Sequence, residues 1–390
     1  MVKSWALLAL ATSSVLSTAR AACLDIDQYL DIPSPMTGDM EINLDAVDTI
    51  ECEEIGENAE VDANGLETVV VDGGTLTLKS SNNVRFVNLG FAVMSGANIV
   101  FDMPKTKFGP NTEGQHRTNY VGHTVRVEEG ASATFEGQVV AKEVSNVRNL
   151  FTNAGSIEFK KRVLFQDGGN VFRDNTGVVK FRGNATFKDN RYLALDNKDS
   201  AYVRFSKDAL FENNAFNFDG AFGCGVANHD TTKLVFRGEA TFQDNDCGEG
   251  VAVYNEAEMT FYGKAYFNNN EYRDNGGAVD NRGGSMKFKS AVQFNNNTAA
   301  DYGGGIAVRG GDVTFSKSVT FDGNSADSGA AFALLEGSLT FENPDVVRYR
   351  NGEATGDPLA DDQNCLFGEV ADGATLIGFT GEDVCIPSSA

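Results

Sequence analysis

Apolar and polar residues alternate around a phenylalanine pair that recurs seven times at one spacing, F-x5-F. An apolar residue lies two positions before each phenylalanine, and a period of two residues predicts a strand with one buried face. Turn-like residues such as Arg182-Gly183-Asn184 separate the two strands of a pair. The pairs follow one another at 22 to 31 residues and are Phe159–Phe165, Phe181–Phe187, Phe205–Phe211, Phe236–Phe242, Phe261–Phe267, Phe288–Phe294 and Phe315–Phe321.

A third segment completes each repeat and ends on a residue type that tolerates left-handed backbone. The residue two positions earlier is usually apolar, as in Leu195, Val308 and Leu335. Three strands per repeat, stacked in parallel about 4.8 Å apart, predict a triangular solenoid. The predicted fold class is all-β, a right-handed single-stranded parallel β-helix of about ten coils with a cap at each end. The segment ends are Asn175, Asn197, Asn228, Asn255, Asn281, Gly310 and Gly337.

The second phenylalanine of six pairs opens a further signature, F-x-x-N, from which Phe165 departs with Gly168 in the asparagine position. Stacked coils place these asparagines in one column, where side-chain amides hydrogen-bond along the coil axis. We therefore predict a structural asparagine ladder. Its members are Asn190, Asn214, Asn245, Asn270, Asn297 and Asn324.

Three of these signatures lead into a glycine-rich motif, at 276–279 (GGAV), 303–306 (GGGI) and 329–332 (GAAF). About residues 160–340 thus resemble the FxxN and GGA[ILV] repeats of the polymorphic outer-membrane protein family. The resemblance implies a right-handed β-helix and a role as a cell-surface adhesin. The chain departs from the family in one respect, since we find no C-terminal segment of alternating ten-residue strands for the family's membrane barrel.

Residues 1–21 have the pattern of a secretory signal peptide, with Lys3, an apolar run and small residues before the cleavage position. The run is too short to span a bilayer, and no other stretch is predicted to span one. We expect a secreted or cell-surface protein. The predicted organisation after the signal is an acidic N-terminal cap (22–58), a parallel β-helix (59–342, regular from 136) and a C-terminal cap (343–390).

The formal net charge of −23 is concentrated near the N-terminus. Residues 21–78 hold 15 Asp or Glu and neither Lys nor Arg. This charge argues against binding of nucleic acid and other polyanions. It permits association of Ca²⁺, which prefers carboxylate ligands, and no other cofactor is predicted. The alternative is a solvated acidic surface that keeps a strand-rich protein soluble.

Six cysteines in a secreted chain favour disulfide pairing. Cys23 with Cys52, and Cys365 with Cys385, are the pairs expected at the two ends. Cys224 has two alternatives. It packs as a small buried thiol, or it pairs with Cys247 if the connecting loop folds back.

Two sequons for N-linked glycosylation occur, at Asn184 and Asn296. Asn184 falls in the turn between two strands, where a glycan has room. Asn296 adjoins the predicted ladder, and we expect it to be shielded.

The connection between the second phenylalanine and the third segment varies from 10 to 17 residues. Length variation of this kind indicates loops on one side of a solenoid, often its binding side. One interpretation is a binding surface, on which exposed rings stack on sugars or the carboxylates bind Ca²⁺. The alternative is that the loops only cover strand ends. The candidate binding residues are Phe216, Phe218, Tyr272, Tyr302, Asp274 and Asp301.

The pectin-lyase-like fold also carries enzymes that cleave or epimerise acidic polysaccharides. Asp280 and Arg309 lie one coil apart on one face and are the best catalytic candidates, although weak ones. Asp196 is three strand spacings from Asp280, about 14 Å, which is too far for a paired-carboxylate mechanism. We therefore expect a non-catalytic adhesion, binding or structural role, with an extracellular glycan or cell-surface protein as partner. A polysaccharide lyase or epimerase is the alternative.

Overall fold

A computed structural model describes residues 38–45, 49–51, 67–87, 89–109, 123–142, 149–215, 223–247, 251–343, 347–354, 368–378 and 384–385. All regular elements in these ranges are strands, and every pairing described below is parallel. The predicted parallel β-helix is confirmed, while its right-handed sense stays a prediction. The chain divides into two compact units, residues 1–185 and 186–390. No helix in the described ranges is long and apolar enough to cross a membrane.

The first unit winds through three strands per coil, which we call the first, second and third strand. Successive coils are β1 (Met40–Asn43), β2 (Thr49–Glu51) and β3 (Glu67–Val71); β4 (Thr75–Lys79), β5 (Val84–Val87) and β6 (Leu89–Val93); β7 (Asn98–Asp102), β8 (Lys105–Phe108) and β9 (His123–Val127); β10 (Ser132–Phe135), β11 (Gln138–Lys142) and β12 (Asn149–Asn153); β13 (Ser156–Phe159), β14 (Val163–Gln166) and β15 (Asn170–Asn175); then β16 (Val178–Phe181).

The second unit continues the same order. Its strands are β17 (Ala185–Lys188) and β18 (Leu195–Asn197); β19 (Tyr202–Phe205), β20 (Ala209–Glu212) and β21 (Gly223–Asn228); β22 (Lys233–Phe236), β23 (Ala240–Gln243) and β24 (Val251–Asn255); β25 (Glu258–Phe261), β26 (Ala265–Asn268), β27 (Glu271–Tyr272) and β28 (Val279–Asn281); β29 (Ser285–Phe288), β30 (Val292–Asn295), β31 (Thr298–Ala299) and β32 (Ile306–Phe315); β33 (Val319–Asp322), β34 (Ser325–Ala326) and β35 (Phe332–Phe341); β36 (Val347–Arg350), β37 (Glu353–Ala354) and β38 (Gly368–Val370); β39 (Thr375–Ile377) and β40 (Val384–Cys385).

Phenylalanine rings fill the interior of the second unit. Both members of each F-x5-F pair are buried, and rings of neighbouring coils stack face to face with centroids 4.7 to 5.2 Å apart. The two ring columns meet edge to face at 6.0 to 6.4 Å. Because the stacking distance matches the strand spacing of about 4.8 Å, backbone pairing and ring packing reinforce each other.

The FxxN asparagines of this unit are buried and hydrogen-bonded in one column. From Asn190 to Asn297, each side-chain amide donates to the side-chain oxygen of the asparagine in the next coil, at 2.9 to 3.1 Å. From Asn214 onwards each also donates to the phenylalanine carbonyl of the preceding coil, at 2.8 to 3.1 Å. These bonds satisfy amides that would otherwise be buried without partners.

The third-strand asparagines form a second ladder. Their recurrence in the sequence suggests a tolerance of left-handed backbone as the cause, and that explanation is wrong. None of Asn197, Asn228, Asn255 and Asn281 is among the described residues with positive φ. Their side chains instead hydrogen-bond from coil to coil at 2.7 to 3.4 Å.

This ladder ends at Gly310, whose carbonyl accepts from the Asn281 amide at 2.7 Å. Asn281 is in register with Val308, and Ile306 with Val279. The predicted alignment of Gly310 with the asparagines is therefore wrong by two residues. β32 runs unbroken from a third strand into the next first strand, and Gly310 and Gly311 take positive φ within it.

The early coils are also regular, whereas the sequence predicts regular repeats only from residue 136. Residues 105–108 form β8, which pairs with β5 and β11. Phe101 and Phe108 both face the core, at a spacing one residue longer than F-x5-F. That extra residue concealed the repeat.

Candidate functional site

The outer side of the third strands in the second unit carries a connected group of charged and hydrogen-bonded side chains. Asp196, Ala227, Tyr254 and Asp280 occupy one column in register, as predicted. The next residue of the column is Ala307 and not the predicted Arg309, which lies two positions further along the strand. The five residues of this column alternate with the inward apolar residues and therefore point out of the coil. All five are nevertheless buried, because other side chains cover them.

Asp280 lies at the centre of this group, which we call the third-strand network (Asp196, Lys198, His229, Tyr254, Glu256, Tyr272, Asp274, Asp280, Arg282 and Arg309). Arg309 donates to both carboxylate oxygens of Asp280, through Nε at 3.1 Å and through NH2 at 2.5 Å. Arg282 Nε donates to Oδ2 at 2.8 Å. Burial disfavours the charge of Arg282, but the charge of Asp280 and this hydrogen bond outweigh burial and raise the pKa of Arg282.

A second part of the network joins Tyr254 to Asp196. The Tyr254 hydroxyl donates to Glu256, whose Oε2 lies 3.0 Å from His229 Nδ1. His229 Nε2 lies 3.5 Å from Asp196 Oδ1, and Lys198 Nζ lies 3.5 Å from Asp196 Oδ2. Burial and then the hydrogen bond to Glu256 raise the pKa of Tyr254 far above its ordinary value, so the phenol stays a neutral donor.

Tyr272 covers the column, and the expectation that its ring is exposed is wrong. It is 5% exposed and packs with Ala227, Val251 and Tyr254. Its hydroxyl donates to Asp274 Oδ2 at 3.3 Å. Burial first, then the charge of Asp274, raises the pKa of Tyr272 to about 12. Tyr272 is therefore a packing residue whose ring faces are not open to a sugar.

Asp274 and Asp301 lie at the rim of the network. Asp274 Oδ2 is 3.7 Å from Arg282 and 3.8 Å from Arg309. Asp301 is exposed, and partial burial followed by its hydrogen bond to Asp274 raises its pKa. Tyr302 is half-buried and forms a backbone bridge to Ser328. Among the described residues no group of three or more His, Cys, Asp or Glu side chains could hold a metal ion.

Cys224 and Cys247 form a disulfide, with Cα atoms 5.4 Å apart. The loop from β23 therefore folds back to β21, which was one of the two alternatives. The Cys23–Cys52 and Cys365–Cys385 pairings both involve residues outside the described ranges. The signal segment, Phe216 and Phe218 also lie outside the described ranges.

The network holds neighbouring coils together and leaves no carboxylate free at its centre. Both oxygens of Asp280 accept hydrogen bonds from the guanidinium groups of Arg282 and Arg309, and the side chain is buried. The register also keeps Asp196 three strands from Asp280, about 14 Å away, so the two cannot act as an acid/base pair.

A comparison with protein-family models, with curated proteins and with solved structures finds no match to this chain. The parallel β-helix is thus established by the strands themselves.

Sequence reasoning did not find Glu256, which links Tyr254 to His229. Glu256 follows the ladder residue Asn255 directly, at a place where other repeats carry lysine, histidine and arginine. The signal was available in principle, because Asn255 fixes where the strand ends and Glu256 must then lie beside the turn. It required the register between coils, which the variable loops conceal.

Proposed function

We propose that this protein is a secreted or cell-surface β-helix that binds or builds extracellular structures and catalyses no reaction on them. The observation that carries the proposal is the saturation of Asp280, the best catalytic candidate, by Arg282 and Arg309. The signal-like residues 1–21 support secretion. The FxxN and GGA[ILV] repeats support a relation to the adhesins of the polymorphic outer-membrane protein family.

We expect no lyase activity from the purified protein. Incubation with polygalacturonate or alginate should give no rise in unsaturated-uronate absorbance, for the wild type and for Asp280→Asn alike. Asp280→Asn should instead lower the free energy of unfolding by about 2 kcal/mol or more, because two half-buried guanidinium groups lose a buried charged partner. A fluorescent glycan array then tests binding. Absorbance that rises with the wild type and is abolished in Asp280→Asn would establish the lyase alternative and end this proposal.

Secretion through a eukaryotic pathway should place N-linked glycans on Asn184 and Asn296. Both side chains are exposed, so the expectation that Asn296 is shielded is wrong, and only its neighbour Asn297 is buried. Asn184→Gln and Asn296→Gln should each remove the mass of one glycan from protein secreted by a eukaryotic host. An amidase that cleaves N-linked glycans should remove both. Secreted protein of unmodified mass would contradict this prediction.

A further inference from the structure

One edge of the second unit carries a row of cations that the net charge of −23 conceals. It lies at the three-residue turns between first and second strands, just after the stacked phenylalanines. We call it the cationic ridge. Its side chains are all exposed. Those on the turns are Lys207, Arg237, Lys264, Lys289 and Lys317, and Lys287 lies beside them on β29, one residue before Phe288.

The turns that carry the ridge stack directly on one another. They follow Phe205, Phe236, Phe261, Phe288 and Phe315, which are in register from coil to coil. A Cβ on Gly263 would lie 1.9 Å from the Gly238 carbonyl oxygen, so the glycine permits this close approach. The ridge is therefore a fixed array with one turn about every 4.8 Å along the coil axis.

The ridge cations have no acidic partners in the part of the chain that the structure describes. The ion pairs formed there involve other cations, such as Lys233 with Glu258 at 2.6 Å. Lys289 contacts only a hydroxyl, that of Ser316, at 3.4 Å. From Tyr262 to Ser318 the three successive turns contain no acidic residue. Unpaired cations in a row attract an anionic ligand more strongly than the net charge predicts.

An aromatic ring lies within the row. Tyr262 is 50% exposed, and the Arg237 guanidinium lies over its ring, 5.0 Å from the centroid. An exposed ring of this kind stacks on the apolar face of a sugar, while the flanking Lys264 and Lys289 offer charge to acidic substituents.

We propose that the cationic ridge binds a linear anionic polysaccharide, laid along the coil axis with its carboxylates or sulfates on the lysines. The proposal rests on the proposed extracellular binding function and names its ligand class. It differs from the expectation, based on net charge, that this acidic protein binds no polyanion. A thin single chain follows one row of charges. A DNA duplex is wider and carries a charge every ~1.7 Å, so it would also meet Asp208 and Glu239, which lie in the same turns.

The test measures binding of size-defined heparin and polygalacturonate oligosaccharides across a salt series, with neutral dextran and a DNA duplex as further probes. The ridge variant is Lys264→Ser, Lys289→Ser and Lys317→Ser. Its matched control is Arg191→Ser, Arg273→Ser and Arg348→Ser, which removes three exposed cations elsewhere in the second unit. Circular dichroism checks that both variants keep their strands.

We expect the ridge variant to bind roughly a hundredfold more weakly near 0.1 M salt, with a log–log salt slope smaller by about 2, since each neutralised charge contributes ~0.7. The control should bind like the wild type. Comparing heparin with polygalacturonate shows whether sulfate or carboxylate is preferred. Equal losses in both variants, DNA binding as tight as polysaccharide binding, or no binding to either polysaccharide would overturn the proposal. If the wild type bound neither polysaccharide but still bound cells or neutral glycans, the cationic-ridge proposal would fail while the proposed extracellular binding function would stand.

Discussion

Phe267→Ala is expected to lower the free energy of unfolding by about 3–5 kcal/mol, the range for deleting a large buried ring. Phe267 stacks between Phe242 and Phe294, at centroid distances of 5.2 and 4.8 Å. It also meets Phe261 and Phe288 edge to face, both at 6.2 Å. The ladders on either side hold the coils in place, so the cavity cannot close by collapse.

Denaturant unfolding measures this loss, and hydrogen exchange shows where it acts. In a solenoid each coil depends on its neighbours, so amides of β23, β26 and β30 should lose protection first. Tyr262→Ala is the matched control, because that ring is 50% exposed and its removal should change stability by less than about 0.5 kcal/mol. A loss below about 1 kcal/mol for Phe267→Ala would mean that the ring columns do not stabilise the coil as their geometry indicates.

The parallel β-helix was predictable because one residue type, phenylalanine, recurs in its core at a fixed spacing. Phe recurs at the positions whose rings stack in the core, and Asn recurs at the positions whose amides hydrogen-bond from coil to coil. Both asparagine ladders require the same residue in successive coils. The early coils escaped detection for a local reason. Phe101 and Phe108 are separated by one residue more than the F-x5-F spacing. After Phe135 the spacing is kept, but the second position holds Ala141, which is in register with Phe165. Apolar side chains occupy the same core positions in these early coils, but they do not match the F-x5-F pattern.

The candidate site was only partly predictable. Asp280 and Arg309 were predicted on one face from an alignment that is wrong by two residues. They still meet, because Arg309 lies only two positions after Ala307, the residue in register with Asp280. The burial of Tyr272 could not be foreseen, since it depends on how a loop of variable length crosses the third strands. The cationic ridge was overlooked for a different reason. Its positions recur, but its residues do not, so Lys289 stands where Arg237 and Tyr262 stand in other coils.

Asn270→Asp should destabilise the second unit by about 3 kcal/mol or more at neutral pH, because it buries a charge among acceptors. The Asn270 side-chain oxygen accepts from the Asn245 backbone and side chain, at 3.3 and 2.9 Å. Its amide donates to the Phe242 carbonyl and to Asn297 Oδ1, at 3.0 and 2.9 Å. An aspartate would turn a second oxygen toward these two acceptors. The Asn297 side chain cannot rotate to present its amide to the new carboxylate, because that amide already donates to the Phe267 carbonyl and to Asn324 Oδ1.

The same substitution should make stability depend on pH with a definite sign. Burial and two facing oxygens raise the pKa of the new carboxyl in the folded protein above the value of about 3.9 in the unfolded chain. The folded state then binds more protons between these two pKa values, so stability falls as pH rises from about 4 through the folded pKa. Asn268→Asp adds the same charge at a half-buried position, where the retained Oδ1 still accepts from Asn295 at 2.9 Å. Unfolding midpoints measured from pH 4 to 8 should therefore diverge from the wild type for Asn270→Asp and run parallel to it for Asn268→Asp. Parallel curves for both variants would show that the ladder tolerates a carboxylate and that its amides are not required as donors.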